Sequence, residues 1–221
     1  MIADDFTHDL LFSRGVRETT DIETLRQKIP GCVGVEKTGE DLDRLHVDYV
    51  AYLRRGAVLH IDAKARRAGA KRFWKNFIVG RQGVPNGEPD LAIETWSVKP
   101  TEQQKDGRAG WTFDESADTD LILYTFDSSD TNEFFLLSFP LLRIAARQSI
   151  AEWAKRFKVA TQCSRRNGEI VWQSECCLVP ALIVQDAIRS VERGQHHCVI
   201  EPSPQLELTM LTAEDVGFHR T

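Results

Sequence analysis

No stretch of the 221-residue chain is both long and apolar enough to cross a bilayer. The best candidate, Phe134 to Ala146, is broken by Ser138, Pro140 and Arg143 and falls short of the ~20 apolar residues a spanning helix requires. Signal-peptide chemistry is missing too, because Asp4, Asp5 and His8 stand where a basic and then an apolar stretch would be. A cytoplasmic protein with no membrane partner is the expectation. Cysteine is scarce and poorly spaced for cross-linking: Cys32, Cys163, Cys176, Cys177 and Cys198 are five in number and include no CxxC pair. That argues against both a disulfide framework and a zinc ribbon. An excess of positive charge is also lacking, and a net charge of −5 speaks against a protein that coats nucleic acid regardless of sequence. No internal repeat is visible. What is present, 42% hydrophobic and 28% charged residues, suits one soluble domain with a sizeable core, expected over residues 1–200 with a peripheral tail at 201–221.

Two short alternating runs, Val47 to Leu53 and Ala57 to Lys64, are separated by Arg54-Arg55-Gly56 and read as a β-hairpin. If those three residues are unpaired, Leu53 faces Ala57, and counting outward brings Asp48 opposite Asp62 with Cβ atoms about 5 Å apart. Side chains repeat every second residue on a strand, so Lys64 shares the face of Asp62. Val47, Tyr49, Ala51 and Leu53, with Ala57, Leu59, Ile61 and Ala63, form the other face, apolar and expected to lie beneath helices. Two carboxylates so close repel unless something positive lies between them, and a divalent cation with oxygen ligands at ~2.0–2.6 Å fits that gap. The same residues also describe an amphipathic hairpin whose solvent face holds two acids and a lysine paired across strands. Against that plainer reading, Asp62-Ala63-Lys64 is the only acid-x-lysine triplet in the chain, and it falls on a strand whose partner supplies an aligned acid.

An acid on one strand followed by acid-x-lysine on the next resembles the PD-(D/E)XK nuclease superfamily over roughly Asp41 to Phe126, in the manner of its phage- and mobile-element-associated members. In that family the first acid often follows proline, whereas Val47 precedes Asp48 here; the Pro89-Asp90 pair is followed by no acid-x-lysine. The resemblance implies an α+β fold, layered α/β/α as in restriction endonucleases, with a mixed central sheet flanked by helices and a catalytic hairpin at 47–64. It further implies a Mg²⁺- or Mn²⁺-dependent DNA endonuclease. Asp48, Asp62 and the main-chain oxygen of Ala63 would bind metal, Lys64 would orient the attacking water, and Glu94 is the leading candidate for a further carboxylate, with Glu23 and Glu36 behind it. Asp120, at the head of a later strand, fits a turn-capping or backbone-bonding role better than a ligand role.

Between Lys64 and Arg81 stand seven lysines and arginines and no acid, with Phe73, Trp74 and Phe77 interleaved. This segment leaves the acid-x-lysine strand directly. Arg66, Arg67, Lys71, Arg72 and Lys75 are therefore candidates for contact with a phosphate backbone, although such runs also occur as solvated faces. Arg165 and Arg166, beside Asn167-Gly168, are a weaker second set.

Elsewhere the pattern predicts a helix capped by Thr20 or Asp21, with Glu23 completing a capping box, and stopped at Pro30-Gly31. Strands are expected at Leu91–Val98, Asp120–Phe126 and Glu133–Phe139. A helix starting at Ser138 and Pro140 follows, with Leu142, Ala146, Ile150, Trp153 and Phe157 at near-helical spacing. A hairpin over Val159–Ser164 and Glu169–Val179 and a helix from Pro180 to about Val191 complete the chain. Three functions fit: an active DNA endonuclease, cutting duplexes symmetrically as a homodimer; a catalytically weak or inactive nucleic-acid-binding or assembly protein on the same fold; and an unrelated interaction protein. Fold alone does not choose among them.

Overall fold

The computed structural model describes residues 18–66, 90–100, 106–126, 134–166 and 169–194. In chain order the elements are α1 (Glu18–Lys28), β1 (Cys32–Lys37), the single turn α2 (Glu40–Asp43), β2 (Tyr49–Leu53), β3 (Val58–Arg66), β4 (Asp90–Val98), β5 (Arg108–Ala109), β6 (Leu121–Phe126), β7 (Phe134–Ser138), α3 (Phe139–Arg156), β8 (Lys158–Arg166), β9 (Glu169–Pro180) and α4 (Ala181–Glu192). The fold is α+β. Its strands form two sheets: a mixed five-stranded sheet in the order β1-β2-β3-β6-β7, and an antiparallel four-stranded sheet in the order β5-β4-β9-β8. The second sheet is not foreseen by the single central sheet expected from sequence, because period-2 alternation marks a strand without naming its partner.

Over Tyr49–Leu53 the hairpin adopts the register read from sequence, but β2 begins at Tyr49, so Asp48 stands just outside it and is not paired with Asp62 in the ladder. Tyr49 pairs with Ile61 and Tyr52 with Val58, and the Leu53 amide donates to the Ala57 carbonyl at 2.9 Å. Gly56 takes a φ of 81°, a left-handed value that a residue without Cβ adopts at little cost in the turn. On its other edge β3 runs parallel to β6, with Asp62 beside Ile122 and Lys64 beside Tyr124.

Alternation in the five-stranded sheet sorts its side chains between two cores. Tyr49, Ala51, Leu53, Ile61, Leu121, Leu123 and Leu136 pack with Leu25 and Ile29 at α1. Ile122, Tyr124, Phe126, Phe135 and Leu137 point the other way, into a larger cluster with Phe139, Leu142 and Trp153 of α3 and Val184 and Ile188 of α4. The second sheet joins that larger cluster through Leu91, Ile93, Cys177 and Val179. The apolar hairpin face is thus covered by α1 as expected, and Asp62 and Lys64 lie on the face of Ile122 and Tyr124.

Helix α1 corrects one expectation. It begins at Glu18, so Asp21 lies inside it rather than at its cap. The Asp21 carboxylate is buried and accepts a hydrogen bond from the Tyr49 hydroxyl at 3.2 Å. Burial, followed by this acid, holds the Tyr49 hydroxyl well above the usual tyrosine range. Helix α3 starts with Pro140 in its first turn, where a missing amide costs nothing, and buries Trp153 as the spacing indicated.

Among the described residues no helix is long and apolar enough to cross a membrane. The basic residues Arg67, Lys71, Arg72 and Lys75 and the tail at 201–221 lie outside the described residues, as does the side chain of Arg66, the last residue of β3.

Candidate active site

Asp48 is placed by backbone bonds on both sides. Its amide donates to the Ile61 carbonyl at 2.8 Å and its carbonyl accepts from the Thr38 amide at 2.9 Å. Just before it, His46 sits at a φ of 58°, a left-handed conformation uncommon for a residue with Cβ. Val47, which follows that turn, is fully buried. Two contacts hold the turn: the His46 ring lies 3.3 Å from an Asp114 carboxylate oxygen, and the His46 carbonyl accepts from the Thr119 hydroxyl. Sequence reasoning missed both His46 and Asp114, which lie 68 positions apart.

Where the β2–β3 ladder ends, a side chain takes over. The Ala63 amide donates to Asp48 Oδ2 at 2.7 Å, tying the two strands of the hairpin across the site. A residue's amide and carbonyl leave a strand on the same side, so the Ala63 carbonyl also faces the edge that Asp48 occupies.

Asp62 is buried, with 2% of its surface exposed. One oxygen, Oδ1, accepts from the Lys64 ammonium at 2.7 Å. The other, Oδ2, is buried and receives no hydrogen bond. Its acidic neighbour is Asp48, whose own oxygens only accept, so the two carboxylates attract each other only when a proton or a cation lies between them. Burial is the main force raising the Asp62 carboxyl to about 7; Lys64 opposes it, and the negative charge of Asp48 adds to it. An anion left so uncomfortable is fit for a hard cation. Mg²⁺ typically takes only one or two protein carboxylates and keeps several waters. Among the described residues no three Asp, Glu, His or Cys side chains converge as a metal-binding group; a cation at Asp62 would have Asp48, Asp62 and the Ala63 carbonyl to draw on from the protein.

Burial would lower the Lys64 ammonium, but Asp62, with Asp48 and Glu94 behind it, carries it above the usual lysine range. Its side chain is 26% exposed and its Nζ lies 5.5 Å from the centre of the Trp111 ring. Glu94, on β4 of the second sheet, completes the group. Burial pushes its carboxyl up, while the Trp111 amide, Lys64 and His46 draw it down, and the balance lies above the ordinary glutamate value. The Trp111 amide donates to Glu94 Oε2 at 3.1 Å. Gly110 permits this approach, since a Cβ there would sit 2.2 Å from the Glu94 carbonyl oxygen.

The fold therefore brings Asp48, Asp62 and Glu94 within electrostatic reach of Lys64. It leaves Glu23 on α1, which packs on the opposite face of the sheet, and occupies Glu36 with the Tyr52 hydroxyl at 3.0 Å. Asp120 accepts the His60 amide at 2.8 Å, the backbone-bonding role expected of it. From Lys64 a cleft of about 380 Å³ extends over the second sheet, along the face of Ala92 and Glu94 that α3 and α4 leave uncovered.

No family model, curated protein or solved structure matches the chain.

Proposed function

We propose that this protein is a metal-dependent DNA endonuclease of the PD-(D/E)XK type, working in the cytoplasm with Mg²⁺ or Mn²⁺. The observation that carries the reading is the buried, hydrogen-bond-free Oδ2 of Asp62 beside a second carboxylate, with a lysine bonded to the remaining oxygen. A bound divalent ion would lower the pKa of a coordinated water and offset charge building on the phosphate. The protein's residues do the rest. Asp48 and Asp62 would hold the ion; Asp48 is itself held by the Ala63 amide. Lys64 aligns the nucleophilic water and counters negative charge as water adds to phosphorus and the opposite P–O bond breaks. Glu94 lies where it biases Lys64 and can order a further water. One such site faces one strand, so symmetric duplex cutting takes two copies of the chain.

Calorimetry of Mg²⁺ and Mn²⁺ binding to wild type and Asp48→Asn, paired with cleavage of duplex and branched DNA by wild type and Asp62→Ala, tests the reading. Binding that weakens in Asp48→Asn and cleavage lost in Asp62→Ala are expected. Identical titrations for wild type and Asp48→Asn would remove the catalytic role and leave a non-cleaving binding or assembly protein on this fold.

A further inference from the structure

The cleft beyond Lys64 is larger than a water-and-phosphate site requires. At about 380 Å³ it falls among pockets that enclose small molecules, ~300–1,000 Å³. It exists because two strands of the second sheet contribute the smallest side chain with a Cβ: Ala92 of β4 and Ala160 of β8 both line it. Ala92 and Ala160 are only half-buried, so the space above them is reached by solvent. Side chains of average volume at these positions would fill it. The remaining lining is mixed in a specific way, with the aromatic rings of Trp111 and Tyr124 near the catalytic end and Lys158 and Gln162 at the other. Lysine and glutamine donors beside rings and alanines give the mixed polar and apolar lining of a ligand pocket, suited to an occupant with a flat apolar part and a polar one.

We propose that this cleft holds one unstacked nucleotide of the strand being cut. The substrate would then be DNA with an unpaired nucleotide beside the scissile phosphate, such as a bulge, a flap or a strand end, in preference to an uninterrupted duplex. The proposal rests on the nuclease reading above. A nucleotide inside a continuous duplex reaches such a cleft only by leaving its stack, and that cost is lowest where the base is already unpaired. Lys64 both lines the cleft and bonds Asp62, so a nucleotide seated there would lie next to the phosphate of the proposed reaction.

The test compares Mg²⁺-supported cleavage of three oligonucleotides of one sequence: fully paired, carrying a single unpaired nucleotide, and single-stranded. Wild type is expected to cut the second and third at least about tenfold faster than the first, a modest part of the cost of unstacking. Ala160→Phe, which fills the cleft from β8, is expected to lose that preference. Ala160→Val serves as a milder filling, with an intermediate loss, and each variant is first shown to melt as wild type does. A direct readout is protection of wild type, but not Ala160→Phe, against thermal unfolding by deoxyadenosine 5′-monophosphate with Mg²⁺. Equal wild-type rates on paired and unpaired substrates, or a preference that survives in folded Ala160→Phe, would overturn the cleft proposal and leave the nuclease reading standing. Absence of cleavage of all three substrates by wild type would overturn both.

Discussion

Asp62 and Lys64 form a pair whose partners depend on each other unequally. Lys64 keeps a quarter of its side chain exposed, whereas Asp62 is sealed and already titrates near 7 with the lysine in place. Truncating one member of a buried ion pair commonly costs ~3–5 kcal/mol because a bare charge is stranded. Here Asp62 has another course open, which is to take up a proton. Lys64→Ala is therefore expected to cost less than about 3 kcal/mol in urea unfolding at pH 7, well below the usual penalty, while cleavage is abolished. A variant that fails to fold would show that the lysine is structural first. Gly110 makes the opposite case. Its missing Cβ would meet backbone atoms of Glu94 rather than a side chain that can swing away. Gly110→Ala should cost about 1–3 kcal/mol, the range for overpacking, and should displace Trp111, which tryptophan fluorescence reports alongside the lost activity.

At the level of elements, the hairpin was the most legible part of the chain. Both of its strands alternate apolar and polar residues, and an odd three-residue link leaves one register that keeps the apolar faces together, so the pairing of Tyr49–Tyr52 with Val58–Ile61 followed by counting. Asp48, by contrast, falls before β2, where its amide bonds the Ile61 carbonyl instead of its facing Asp62 in the ladder. Strands β4, β6 and β7 and helices α3 and α4 fall within a residue or two of their expected limits for the same reason: their periodicity survives burial. Partnerships across long separations were not legible. Nothing in Leu91–Val98 announces that it pairs with β9 some 80 residues later, so a second sheet and the cleft above it stayed hidden. The link that holds the approach to β2 was equally hidden, because it joins a strained His46 to Asp114, a carboxylate in a turn. Burial raises the Asp114 carboxyl, but hydrogen bonds from the Ser116 hydroxyl and amide and from His46 outweigh it and carry it below the ordinary aspartate value. A depressed carboxylate contributes stability that is present above its unfolded pKa and disappears as pH falls through the lower, folded one. Asp114→Asn should thus be less stable than wild type by about 1 kcal/mol at neutral pH, the usual worth of such bonds. The gap should close as pH drops below ~4, where the unfolded carboxyl gains its proton. Guanidinium unfolding at pH 7 and at pH 3 measures it, and an equal gap at both would mean that the charge on Asp114 contributes nothing.

For the molecule as a whole, a net charge of −5 sets the long-range field against DNA, and yet seven basic residues and no acid lie between Lys64 and Arg81. A protein of this balance approaches a polyanion only if its positive charge is concentrated where contact is made, so the local cluster rather than the total should govern association. The cluster continues the strand that carries Asp62 and Lys64, its next charge after Lys64 being Arg66, two residues further on. Each phosphate neutralised releases condensed counterions, and the logarithm of the binding constant falls against the logarithm of salt with a slope of about −0.9 per phosphate on duplex DNA and about −0.7 on a single strand. Reversing charge at Arg67, Lys71 and Arg72 together should weaken DNA binding and flatten that slope by roughly 2–3. The same triple variant should keep the metal affinity of wild type, because none of the three residues belongs to the carboxylate pair. Fluorescence anisotropy of labelled DNA across a salt series gives the slope, and calorimetry gives the metal affinity. A slope unchanged by the triple reversal would assign the segment to an ordinary solvated surface and require the DNA to enter from the Lys158 end of the cleft.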